Sequence, residues 1–153
     1  MAAPSDQASA PTEPGARVKR RLLLGYQMLT GLSDTGTGLL LIFAPALTLR
    51  LLGLHVSFES LPFLSYIGMF VLSVGIACLY GAFLASRVAF AEKLEVVWLL
   101  TGITRALVAL FVIAKILAGT LEPAWATVAA SDGAFALLQA IGLSKGWLAN
   151  AAA

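Results

Sequence analysis

Residues 22–45, LLLGYQMLTGLSDTGTGLLLIFAP, contain no Lys, Arg or Glu and are numerous enough to cross a bilayer as a helix, yet Asp34 stands near their middle. A carboxylate at that depth needs a partner from elsewhere in the chain. Two further ionisable residues, Arg105 and Asp132, interrupt later apolar stretches. What the chain folds into depends on whether these three share one layer.

The background to these charges is extreme: 59% hydrophobic residues, 12% charged residues and a mean hydropathy of +0.91 lie far from soluble-domain usage. The expected fold is all-α, an integral membrane bundle of four transmembrane helices over residues 22–45, 61–85, 94–118 and 123–143, within one domain at 21–148. Residues 1–20 read as a disordered tail, polar at first and basic at its end, and 149–153 as a short C-terminal tail. Gly68, Gly75 and Gly81, with Ser73 and Ala77, place small residues where the second span's neighbours can approach. Ala126, Ala130 and Ala134 form a comparable stripe on the fourth.

An even number of spans puts both chain ends on one side. Seven of the ten Lys and Arg residues then share that side: Arg17, Lys19, Arg20, Arg21, Arg87, Lys93 and Lys145. Arg50 and Lys115 fall on or near the other, so the positive-inside rule places both termini in the cytoplasm. Tyr26, Tyr80, Trp98 and Trp147 read as aromatic anchors at the inner boundary, Tyr66 and Trp125 at the outer one. The alternative, a signal peptide cleaved at Ala44-Pro45-Ala46, requires an overlong apolar region containing Asp34. After Pro45, the sequence ALTLRLLGLHVSFES fits a short amphipathic helix along the interface.

Several apparent motifs lack the chemistry they suggest. Asp34-Thr35-Gly36 matches the aspartic-protease triplet but has no second copy to share a proton, and Gly36 and Gly38 lack the strand and spacing of a dinucleotide site. His55 and Glu59 are too few to hold a metal. Cys78 reads as a small buried apolar residue, and as the only cysteine it excludes an internal disulfide. The net charge of +2 does not call for a nucleic-acid partner. No catalytic set, metal or cofactor is predicted; membrane lipids, a bound lipid or quinone, other membrane subunits or a second copy of the chain are the partners that composition allows.

Counting helical rise decides the layer. Asp34 lies roughly 18 Å from the inner end of its span, and Arg105 and Asp132 roughly 16 Å from theirs, at 1.5 Å per residue. An isolated charge at a helix centre costs about 3 kcal/mol, so the three are expected to meet rather than face lipid. Because two aspartates and one arginine sum to a negative charge, the expectation is that one aspartate pairs with Arg105 and the other carries a proton. Gln27, Thr101 and Gln139 fall on the same faces, while Ser33 and Ser131 precede the two aspartates and are taken as neighbours of the cluster. Either a structural ion pair fixing helix register or a polar midplane cavity for a lipid, quinone or proton accounts for this set.

Four short spans, Ala44-Pro45 followed by Leu51-Leu52-Gly53-Leu54, a glycine-rich second span and Thr104-Arg105-Ala106 in the third resemble the DoxX-like group of small bacterial membrane proteins. That resemblance implies a compact four-helix bundle, in a group sometimes linked by name to quinol oxidation or thiol redox chemistry. It carries over no catalytic residue. The functional expectations are a non-enzymatic interaction or accessory subunit of a membrane complex or, alternatively, a protein that binds or transports a small lipophilic or protonatable ligand.

Overall fold

The structure, a computed structural model, describes residues 14–87 and 91–152. Helix α1 (Pro14–Phe43) is followed by α2 (Pro45–Leu52), α3 (Leu61–Ala85), α4 (Ala91–Leu117), α5 (Ala126–Ser144) and α6 (Trp147–Ala152). The described residues include no strand. Pro45 cannot continue the hydrogen-bond ladder of α1 but suits the first turn of α2, which Gly53 ends with a φ of 68°. The apolar segment after Pro45 is thus helical, with Thr48 and Leu49 buried.

Three stretches are long and apolar enough to cross a membrane: Phe58–Ala85, Ala91–Leu117 and Pro123–Ser144, with mean hydropathies of 2.2, 2.2 and 1.4. At 30 residues α1 is the longest helix. Its Gln27, Thr30, Ser33, Asp34, Thr35 and Thr37 leave it too polar to join these three by composition.

The long helices pack as two antiparallel pairs. Along α1 and α3, Gln27 lies against Gly81, Gly31 against Leu79, Thr35 against Gly75 and Gly38 against Leu72. The backbones nearly touch: a methyl group on Gly75 would collide with the backbone nitrogen of Thr35. Such approach is what glycine supplies where lipid provides no hydrophobic drive between helices. Ser73, expected on this seam, faces outward and donates to the Phe70 carbonyl instead, since it lies two positions, or about 200°, from Gly75.

Helices α4 and α5 form the second pair, with Trp98 against Gly142, Thr101 against Gln139, Arg105 against Asp132 and Ala109 against Gly133. The predicted small-residue stripe of α5 does not make this contact. Ala126, Ala130 and Ala134 are exposed, and Ala129 is buried in their place. Asp132 sets the rotation: Ala130 and Ala134 each lie two positions from it, about 200° around the helix, so facing Asp132 inward turns them out.

Where α1 begins and α3 ends, the pairs are joined by a core of Leu23, Leu84, Ala85, Leu94, Trp98, Leu148 and Ala151. Trp98, expected as an interfacial anchor, is only 1% exposed, because Gly142 leaves room for its ring against α5. Two expected tails also differ. Residues 14–20 belong to α1, and Arg20 donates from Nε to the Ala85 carbonyl at 2.8 Å and from Nη2 to the Arg87 carbonyl at 3.1 Å, satisfying acceptors at the end of α3 and just past it. The first thirteen residues of the expected tail lie outside the described residues. At the other end, Gly146, with a φ of 62°, turns the chain back so that α6 covers the core with Leu148 and Ala151. Leu148→Ala is therefore expected to cost about 2 kcal/mol, the lower end for a buried leucine. A thermal melt in detergent checks it, and an unchanged midpoint would mean that α6 is dispensable.

Candidate functional site

Asp34 on α1, Arg105 on α4 and Asp132 on α5 meet in the interior. Arg105 is 4% exposed. Its Nη1 donates to Oδ1 of Asp132 at 2.7 Å, and its Nη2 donates to Oδ2 of Asp34. The rigid fork of a guanidinium explains how one side chain holds carboxylates from two helices at once, which a lysine would do less well. Pairing with a single aspartate, the sequence-based expectation, is replaced by a shared arginine. The two carboxylate side chains are 18% and 20% exposed, so each keeps one partly open side.

Aromatic rings complete the surroundings. The Arg105 guanidinium carbon sits 4.9 Å from the centre of the Phe135 ring, a cation–π contact. Tyr26 packs edge-on against both Phe135, at 6.0 Å between centres, and Trp98, at 5.3 Å. Arg105 Nε, Tyr26 Oη and Trp98 Nε1 are buried polar atoms with no hydrogen-bond partner among the described residues. Sequence reading missed Phe135 and the packing of Tyr26 against it. Both carried a usable signal, since Phe135 lies three residues after Asp132 and Tyr26 eight before Asp34, spacings that share a helix face.

Of the expected neighbours, Gln27, Thr101 and Gln139 are buried, but none bonds to the charged cluster. Gln27 donates to the Cys78 carbonyl at 3.4 Å, in space that Gly81 leaves open. Gln139 donates to the Thr101 hydroxyl at 2.8 Å, and that hydroxyl donates to the Val97 carbonyl at 2.7 Å. These bonds tie α1 to α3 and α4 to α5 one layer nearer the end where α1 begins. Ser33 and Ser131 are exposed, and Ser131 donates to the Val128 carbonyl at 3.0 Å. Adjacent helical residues point about 100° apart, so the serine beside an inward aspartate turns away. His55 approaches Glu122 at 3.8 Å rather than joining Glu59, and no group of three potential metal ligands occurs among the described residues.

Chemically, the cluster sets two carboxyl groups on one guanidinium and ties three helices to one point. Together, fold and site describe an integral membrane protein of all-helical class whose interior is fastened by one arginine between two aspartates. Compared with protein-family models, with curated proteins and with solved structures, the chain matches none.

Proposed function

We propose that this is a four-span protein of the bacterial cytoplasmic membrane, with both ends in the cytoplasm, that serves without catalysis as an accessory or interaction subunit of a larger membrane assembly. Helix α1 qualifies as a span because, Ser33 apart, the groups that lower its hydropathy are buried or half-buried. Gln27 and Thr30 are buried and Asp34 faces Arg105, whereas Leu29, Leu32 and Phe43 face outward. The concentration of Lys and Arg at the end where α1 begins supports the orientation. The proposed four-helix bundle also agrees with the resemblance to the DoxX-like group.

The observation that carries the interaction reading is the outward face of α5. Ala126, Ala130 and Ala134 are exposed on the least covered of the three apolar stretches. In lipid, small residues let another helix come close, and packing rather than burial drives association. The charged cluster fits this reading because both guanidinium termini are already engaged, leaving a clamp rather than a free acid or base.

Extraction in mild detergent is expected to yield a complex with larger membrane subunits, and Ala130→Leu to release the chain from it. Migration of the native chain as a lone monomer would count against the reading. Reporter fusions after Gly53 and Gly119 should lie outside, and those after Ser86 and at Ala153 inside. A reversed pair would reject the topology.

A further inference from the structure

Apolar walls and unpaired charge of one sign meet in a groove of about 640 Å3 that opens beside the start of α1 and the turn between α5 and α6. Leu23, Tyr26 and Trp98 line it, together with Leu22, Leu138 and Trp147. Lys19 and Lys145 complete the lining, and no acidic side chain contributes. Both lysines are exposed, and neither has an ion-pair partner among the described residues. Along each wall the order is the same. Lys19 precedes Leu22, Leu23 and Tyr26 towards the middle of α1, and Lys145 lies about two turns beyond Leu138 on the returning chain.

We propose that this groove binds an anionic phospholipid, with its phosphate between Lys19 and Lys145 and an acyl chain along Leu22, Leu138 and the Tyr26–Trp98 floor. The charge sits at the rim and the apolar surface extends inward, the polarity of one lipid molecule. A soluble phosphate compound satisfies the lysines but leaves the floor bare. A neutral lipid or a quinone satisfies the floor but leaves two cations unpaired. Basic residues beside cytoplasmic helix ends recognise acidic headgroups in this way, and Trp147 stands where interfacial indoles do. The floor is also one ring away from the charged cluster, since Tyr26 contacts Phe135 and Phe135 carries Arg105. The proposal rests on the membrane-spanning reading above.

The test uses the full chain, with Trp125→Phe so that only Trp98 and Trp147 fluoresce, in phosphatidylcholine vesicles. Phosphatidylglycerol with brominated chains, which quench indole on contact, is added stepwise and compared with brominated phosphatidylcholine. Half-quenching is expected at a mole fraction roughly thirtyfold lower for the anionic lipid, the scale that two interfacial lysines supply. Lys19→Gln with Lys145→Gln should erase that preference. Leu138→Phe, which fills the groove and keeps both lysines, should erase it too. Equal quenching by both lipids in the parent protein, or a preference that survives the two lysine substitutions, refutes the site. Displacement by added inorganic phosphate also refutes it and assigns the lysines to a soluble anion. Absence of quenching by either lipid refutes the membrane-spanning reading itself.

Discussion

Arg105→Leu is expected to destabilise the protein by about 3–5 kcal/mol, the range for removing one member of a buried ion pair. The substitution leaves Asp34 and Asp132 facing each other without a cation, on helices from different antiparallel pairs. Single Asp→Asn changes should be milder, about 1–2 kcal/mol each, because the remaining carboxylate still neutralises Arg105 and asparagine still offers an acceptor oxygen. The double change Asp34→Asn with Asp132→Asn should match Arg105→Leu, since the guanidinium is then buried alone. A double variant that costs more than the sum of its singles is thus the signature of a shared arginine. Thermal melts of the four variants in one detergent measure it, and a double variant equal to the sum of its singles would mean that the two carboxylates act independently.

Gly75→Leu is expected to cost more than about 3 kcal/mol, at or beyond the upper end of ordinary overpacking. The obstacle is backbone rather than a movable side chain, because the added Cβ meets the main chain of Thr35. Relief requires α1 and α3 to part, which also draws Gln27 from the Cys78 carbonyl and Asp34 from Arg105. Gly36→Ala provides the contrast, since a Cβ there meets nothing within 4 Å. That variant should melt at or slightly above the parent temperature, alanine being the better helix former. Similar losses at both positions would trace the effect to generic glycine replacement rather than to the seam.

Depth along the helices was legible in the sequence, and rotation about them much less so. Counting rise from the span ends brought Asp34, Arg105 and Asp132 to one level, and their side chains meet. Residues seven positions away, Gln27 and Gln139, were placed inward on the same reasoning, and both are buried. The errors came from assigning faces without a fixed reference. Ser33 and Ser131 were grouped with their aspartates by adjacency, although one helical step turns a side chain through about 100°. The alanine stripe of α5 was assigned to helix contact on composition with no direction, and the neighbouring Asp132, facing inward, turns it outward. Trp98 was placed at an interface because tryptophan often is, and the small Gly142 opposite it carried the decisive information. The packing of α6 had no local signal beyond Gly146, because its partners Leu23, Leu84 and Leu94 come from three other helices.

Synthesis runs from α1 onward, and this gives the Asp34–Arg105 contact a direction in time. Asp34 precedes Arg105 by 71 positions, whereas Arg105 precedes Asp132 by 27. The α4–α5 hairpin therefore emerges with its charges already matched, while the α1–α3 pair is made with one unmatched acid. Zipped by Gly38, Gly75 and Gly31, that first hairpin can assemble before its cation exists. Arg105 then acts as a latch closed by the second half of the chain, and nascent protein stalled before α4 is expected to be the form most exposed to membrane quality control.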